Sequence, residues 1–369
     1  MSDFLVTSQL TCASPHLPIS WYFDPEIYAL ELEYIFNQGP AYVGHELMVP
    51  NVGDYQVLET TSHASMLVRH EQGISLLSNI CRHRQATMYE GRGHTKQLVC
   101  PLHRWTYDMQ GKLLGAPHFP ENPCLNLPEQ GPLTQWKGLL FSGQRDVAGD
   151  LAHLGVSDDL NFDGYMLDRV MVEEYAFNWK TFIEVYLEDY HVEPFHPGLG
   201  NFVTCDDLKW EYGDWYSVQS VGVARGLRRA GSAVYAKWQE RVLEYRNGVP
   251  PERGAIWLTY YPNIMVEWYP HVLVVSTIVP TGIESCRNVV EFYYPEDIVL
   301  FEREFIEAEQ AAYAETAVED DEICRRMHAG RKLLYQQGRD ERGPYQSPME
   351  DGMVHFHEFM RKKLLPHLA

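Results

Sequence analysis

Basic residues are scarce in this 369-residue chain. Thirty lysines and arginines stand against 51 aspartates and glutamates, for a formal net charge of −21. A surface so negative repels phosphate, which excludes nucleic acid as a partner. Long apolar runs are missing too. No stretch of about 18 uncharged apolar residues occurs, so no membrane-spanning helix is expected. The start, Met1-Ser2-Asp3-Phe4, has neither the basic region nor the apolar core of a secretory leader. The seven cysteines follow no disulfide-framework spacing. Cys12, Cys124, Cys205, Cys286 and Cys324 read as free thiols, mostly small apolar fillers, of a reducing cytoplasm. Low-complexity tracts and internal repeats are also absent. The expectation is a cytoplasmic globular protein of two or three domains.

What is present is concentrated in three places. The first is Cys81-Arg82-His83, followed after sixteen residues by Cys100-Pro101-Leu102-His103. Each short pair can put two ligand atoms on a metal centre from one tight loop. Two centres use these ligand types. A zinc site takes two cysteines and two histidines on one ion. A Rieske cluster takes the cysteines on one iron and the histidines on the other. Around the pairs, Ala41–Gly44, Tyr55–Leu58, Ser65–Val68, Ile74–Leu77 and Gly138–Ser142 read as short strands, punctuated by glycine and proline. A Gly/Asp-rich stretch from Gly149 to Gly164 suits a boundary.

The second place runs from Asn178 to His196. Asn178 to His191 reads as a helix entered from a strand over Val170 to Tyr175. On such a helix Glu184, Glu188 and His191 share one face. Pro194 is expected to break it, which lets the chain turn His196 back beside His191. Alone, a histidine pair like this is more often ordinary core or surface. The third place lies in a long helical pattern from Leu300 to Leu334, with Gly330 a candidate interruption. There Asp320 falls on the apolar stripe with Ala317, Ile323, Cys324 and Met327. A carboxylate on that stripe needs a partner, and a metal is one. Asp321 instead has Arg325 four residues on, the spacing of a surface pair. Asp320 is the better ligand candidate, with Asp321 as reserve. Two histidines and one carboxylate leave open positions on ferrous iron for O2.

Elsewhere, Asp24 and Pro25 form a helix start, with Ile27, Leu30, Leu32, Tyr34 and Ile35 as its apolar side. Residues 205–250 are polar and mixed, and read as an excursion or a subunit contact. From Ile256 to Val279 and Val289 to Tyr294 the composition is that of strands, with Trp257, Tyr260, Tyr261, Trp268 and Tyr269 as sheet core.

The loop Cys100-Pro101-Leu102-His103-Arg104-Trp105, with Cys81-Arg82-His83-Arg84 before it and Asn178-Trp179-Lys180…Glu188-Asp189-Tyr190-His191…His196 after it, resembles the α (terminal oxygenase) subunits of Rieske non-haem iron oxygenases. The likeness covers nearly the whole chain. Two of the family's usual glycines beside the cluster are replaced, by Gln85 and Arg104. The resemblance implies an α+β fold: a lead-in helix over 1–40, a small antiparallel-β Rieske [2Fe-2S] domain over 41–150, and a catalytic domain over 151–369 with an antiparallel sheet covered by helices, of helix-grip (START-like) type.

The same resemblance implies the roles. Cys81, His83, Cys100 and His103 hold the [2Fe-2S] cluster, and His191, His196 and Asp320 hold a mononuclear Fe(II). Glu188 links His103 of one subunit to His191 of the next in a head-to-tail homotrimer or a multiple of trimers. Electrons come from NAD(P)H through a separate reductase, with or without a ferredoxin domain, and O2 is the co-substrate. A glutamate at the bridging position resembles the branch acting on quaternary ammonium compounds. That favours hydroxylation of a small polar or quaternary-ammonium substrate, for which aromatic side chains are suitable hosts. The alternative is ring hydroxylation of an aromatic acid, with Arg225, Arg228 and Arg229 as candidate carboxylate partners. A Rieske electron carrier without oxygenase activity is the lesser alternative.

Overall fold

The computed structural model describes residues 16–368, so Cys12 and the first residues lie outside it. The chain divides into two units. One is Pro40–Gly149, and the other joins the segment ending at Gly39 to the chain from Asp150 onward.

The smaller unit is built of short antiparallel strands. β2 (Asp54–Val57), β3 (Ser65–His70), β4 (Gly73–Ser78) and β5 (Arg92–His94) form one sheet in the order β4-β3-β2-β5. β1 (Ala41–His45), β9 (Leu133–Trp136) and β10 (Leu139–Ser142) form a second in the order β1-β10-β9. A third contains β6 (Leu98–Val99), β7 (Thr106–Tyr107) and β8 (Leu113–Gly115). Alternating apolar residues put Val57, Met66, Val68, Leu77, Leu98, Tyr107 and Leu113 into one core with Cys81, Cys100 and Trp105.

In the larger unit seven antiparallel strands make one sheet, ordered β11-β17-β16-β15-β14-β13-β12. They are β11 (Tyr165–Tyr175), β12 (Val203–Gly213), β13 (Tyr216–Val223), β14 (Ala255–Tyr260), β15 (Ile264–Tyr269), β16 (Val272–Gly282) and β17 (Ser285–Pro295). The helices are α1 (Pro25–Glu31), α2 (Trp179–Tyr186), α3 (Val192–Phe195), α4 (Ala233–Tyr245), α5 (Glu296–Phe301), α6 (Arg303–Gln336) and α7 (Asp351–Leu364). Tyr235, Trp238 and Val242 of α4 and Phe305, Ile306 and Ala312 of α6 pack on Trp257, Val274, Val290 and Phe292 of the sheet. Each of the buried Val, Ile and Phe side chains among them contributes about 1.5–3 kcal/mol.

Several expectations change. Residues 205–250 are regular structure: two sheet strands and the helix α4. Ser232 caps α4 by accepting from the Tyr235 amide at 3.1 Å. The long C-terminal helix passes through Gly330 without a break. It is divided instead at Glu302, whose φ of −121° and ψ of 52° are not helical. The helix after Asn178 ends at Tyr186, short of His191. Asn178 caps its start, accepting from the Lys180 amide at 3.0 Å. Past its end, the Asp189 amide donates to Met349 O at 2.9 Å, which draws the backbone out of the helical ladder. Pro194 therefore breaks nothing. It is the third residue of the short helix α3, where amides have no intrahelical acceptor to lose.

This early ending separates residues expected on one face. Glu184 is fully buried in a network of its own. It lies 2.7 Å from Arg331 Nη1 and 2.8 Å from His357 Nε2, and accepts from the Tyr22 hydroxyl. Behind it, Lys180 Nζ meets Glu31 Oε1 at 2.6 Å, and Trp179 Nε1 donates to Glu31 Oε2 at 2.8 Å. These contacts pin α1 to α2. Asp24 caps α1 through the Glu26 amide at 2.8 Å, with Pro25 as its first residue.

Candidate metal centres and substrate cavity

The two loops of the smaller unit are the same turn made twice. In the first, Cys81 N–H donates to Ala86 O at 2.9 Å and Gln85 N–H to Cys81 O at 3.1 Å. In the second, Cys100 N–H donates to Trp105 O at 2.9 Å and Arg104 N–H to Cys100 O at 3.1 Å. The fifth residue of each turn is left-handed: φ is 56° at Gln85 and 59° at Arg104. Both cysteines are buried and unbridged. The rings of His83 and His103 lie 4.6 Å apart, and His83 stacks on Trp105 with 6° between planes. His83 Nδ1 is buried without a hydrogen-bond partner. The Tyr107 hydroxyl sits 3.5 Å from Cys81 Sγ.

This arrangement fits a two-iron cluster. Among the described residues, no three of these four side chains bring a ligand atom each within 4.8 Å of one another. A single tetrahedral zinc would need that convergence. A cluster with sulfur ligands on one iron and imidazoles on the other does not.

In the larger unit His191, His196 and Asp320 do converge, with their ligand atoms within 4.8 Å of one another. Asp320 Oδ1 is 3.1 Å from His196 Nε2 and 3.5 Å from His191 Nε2, yet is buried without hydrogen-bond geometry to either. The opposite nitrogens face outer carboxylates. Glu188 Oε1 lies 2.6 Å from His191 Nδ1, and Glu319 Oε2 lies 2.7 Å from His196 Nδ1. Such outer partners fix tautomer and ring orientation in metal sites. Glu188 also accepts from the His191 amide at 3.0 Å. Burial works against the His191 imidazolium, but Asp320 and Glu188 outweigh it and hold the group at about 10 without a metal. A divalent ion would displace that proton. Two imidazoles and one carboxylate fit ferrous iron. Asp321 is turned away and pairs with Arg325 at 2.8 Å.

Beside the triad lies a cavity of about 90 Å³, room for roughly six waters or one small linear molecule. The sheet lines it with Gln219, Trp257, Glu267 and Tyr269, and α6 with Glu309, Tyr313, Thr316, Ala317 and Asp320. Asp189 also lines it, beside the triad. Among the described residues no lysine or arginine lines it. Arg225, Arg228 and Arg229 are exposed and line no part of it. Burial pushes the carboxyls of Asp189 and Glu267 up to about 7 and that of Glu309 to about 8. Sequence reasoning missed Glu319, Glu267, Gln219 and Glu309. For Glu267 a signal existed: it is the only charged residue in Ile264-Met265-Val266-Glu267-Trp268-Tyr269.

Two metal-binding units of this kind in one chain define a Rieske-type non-haem iron oxygenase. The chain belongs to the ring-hydroxylating α-subunit family: residues 159–365 match "Ring hydroxylating alpha subunit (catalytic domain)" and residues 40–131 match "Rieske [2Fe-2S] domain". Among curated proteins it is 62% identical to a putrescine 2-hydroxylase of Ralstonia nicotianae, over 98% of this chain and 99% of the relative. It is 54% identical to a putrescine 2-hydroxylase of Bordetella bronchiseptica, over 98% and 87%. A choline monooxygenase of Spinacia oleracea is 28% identical, over 94% and 78%. Among solved structures, the quaternary ammonium Rieske monooxygenase CntA superposes with a TM-score of 0.75 at 19% identity, covering 95% and 96% of the two chains, a likeness of fold. The protein is therefore the terminal oxygenase of a system that hydroxylates a small organic substrate with O2 and reductase-delivered electrons. The zinc and electron-carrier alternatives fall away. No helix among the described residues is long and apolar enough to cross a membrane.

Proposed function

We propose that this oxygenase hydroxylates a short primary diamine of the putrescine type. The observation that carries the reading is the cavity beside the triad, which holds buried carboxylates and, among the described residues, no lysine or arginine. Asp189 is 2% exposed, and both its carboxylate oxygens lack a hydrogen-bond partner. A primary ammonium carries N–H donors for such acceptors. A quaternary ammonium carries none, so it would leave them buried and unpaired, at about 1–3 kcal/mol each. An aromatic acid would add negative charge to a negative cavity. High identity to two putrescine 2-hydroxylases supports the same substrate class.

On this reading Cys81, His83, Cys100 and His103 hold the cluster, and His191, His196 and Asp320 hold the iron. When bound, the two groups supply electrons and a site where O2 is activated next to the substrate. Glu188 and Glu319 orient the two iron-side imidazoles. Glu188 also receives His103 of a neighbouring subunit in a homotrimer, and the reductase draws on NAD(P)H in the cytoplasm. The cavity carboxylates hold the substrate cation, and the aromatic walls exclude water from its methylenes.

A single-turnover assay tests the substrate class. The cluster is reduced, excess reductant removed, O2 added, and cluster oxidation followed with primary diamines, quaternary ammonium compounds and aromatic acids. Acceleration and hydroxylated product with the diamines alone are expected. Acceleration by either other panel, with diamines silent, would reject the reading.

A further inference from the structure

The diamine reading leaves open which groups hold each of the two substrate amines. β13, β14 and β15 pair in a register that sets Gln219 opposite Trp257 and Trp257 opposite Glu267. All three line the cavity, so they form one row across three strands, with the indole in the middle. Adjacent strands lie about 4.8 Å apart, which puts the two polar residues roughly 10 Å apart at the backbone. Their side chains can reach toward a group placed over Trp257.

Gln219 is 2% exposed. Its Nε2 donates to Tyr186 O at 2.7 Å, which fixes Oε1 as the atom left over. That oxygen is buried with no hydrogen-bond partner, as is the Tyr186 hydroxyl. Glu267 is also 2% exposed. Tyr269 donates to its Oε2 at 2.8 Å, and Trp257 Nε1 donates to the Tyr269 hydroxyl at 2.9 Å. This chain locks the carboxylate in place but brings no positive charge. Among the described residues no lysine, arginine or histidine forms an ion pair with Glu267. A carboxylate buried this way is costly without a cation. A carboxylate, an amide oxygen and an indole face together suit a primary ammonium, through charge, hydrogen bonds and cation–π attraction.

We propose that Glu267 and Gln219 receive one of the two substrate ammonium groups over the Trp257 face, and that they set selectivity for a diamine over a monoamine. Asp189, beside His191, supplies the second negative charge. Resting on the diamine reading, the proposal adds the residues that measure the second amine. It makes Glu267 a counter-ion for substrate rather than a neutral acid retained for packing.

The test compares 1,4-diaminobutane with 1-aminobutane as substrates of the unmodified holoenzyme and of Glu267→Gln and Gln219→Leu. Each protein is used with its reductase, after iron content and cluster absorbance are matched. Glu267→Gln should raise KM for the diamine about 100-fold or more, because one partner of a buried charge pair is removed. The loss for the monoamine should be at least tenfold smaller. Gln219→Leu should raise the diamine KM about tenfold in the same sense. If Glu267→Gln fails to load iron, the Gln219→Leu selectivity decides. A diamine KM within threefold of the unmodified enzyme in the decisive variant, or equal losses for both amines, overturns the proposal and leaves the diamine reading intact. Failure of the unmodified enzyme to oxidise any diamine overturns both.

Discussion

Gln85 and Arg104 occupy the left-handed positions of the two ligand loops, at φ values of 56° and 59°. Glycine adopts such values freely, whereas another residue pays about 1–2 kcal/mol in crowding between Cβ and the following carbonyl. Replacing each with glycine removes that strain. It returns about 0.5–1 kcal/mol through the greater freedom of the unfolded chain. The net gain expected is about 0.5–1 kcal/mol per site. Both side chains are exposed, so little packing is lost. The strain is local to each backbone turn, so the two gains together should reach up to about 1–2 kcal/mol in Gln85→Gly/Arg104→Gly, less any coupling through the stack of His83 on Trp105. The smaller unit spans about 110 residues, and for domains near this size 1 kcal/mol moves the midpoint by roughly 4–8 °C. The assay heats the holoenzyme and follows loss of the cluster's visible absorbance. The double variant should bleach at a midpoint several degrees higher. An unchanged or lower midpoint, at equal cluster content, would refute the strain argument.

Four further outcomes follow from the larger unit. Glu188→Gln should keep both metal centres and a normal fold while largely uncoupling cluster oxidation from turnover; near-normal steady-state activity would reject the bridging role. Asp320→Ala should lose one iron per chain in metal analysis, whereas Asp321→Ala should retain it and cost no more than about 1 kcal/mol, since only a surface pair with Arg325 is lost. Diamine affinity, read by calorimetry, should rise with pH toward about 7 and level off above it. Ionised Glu267 attracts the cation, and its carboxyl sits at about 7, facing Tyr186, Tyr269, Tyr313, Asp320 and Glu309; Glu267→Gln should reduce that rise, and Asp189, also at about 7, carries the remainder. Lys180→Met should destabilise the protein by about 3–5 kcal/mol in a thermal or denaturant melt, because Glu31 is left buried without its cation.

Much of the site was legible because short ligand spacings are local. Cys-x-His, Cys-x-x-His and the segment from Glu188 to His196 each fit within one loop or turn, so the residues declare the chemistry without the fold. The side of α6 that carries Asp320 was legible from helical periodicity. Helix ends were less so. The end of α2 depends on the Asp189 amide meeting Met349, about 160 residues away, and no local pattern encodes that contact. Pro194 misled for a related reason: a proline that breaks a helix interior is harmless in a first turn, and which applies depends on where the helix starts. The cavity was least visible. Gln219, Glu267 and Glu309 come from two strands and a helix far apart in sequence, and only the sheet register and the lie of α6 bring them together.

The helix α6 is continuous over 34 residues, about 50 Å of rod. Glu309, Tyr313, Thr316, Ala317 and Asp320 recur along one side of it and line the cavity. Glu309 and Asp320 are eleven residues apart, which is three turns and about 16 Å along the axis. The helix thus acts as a graduated scale with Asp320 at its zero mark. Substituting a residue one turn along changes the wall about 5 Å along the axis from Asp320 and leaves the zero mark untouched. Inserting one residue between them would rotate everything beyond it by about 100° and lose the calibration. A lineage built on such a scale can change the length of molecule it admits by point substitution while its oxidising centre stays fixed.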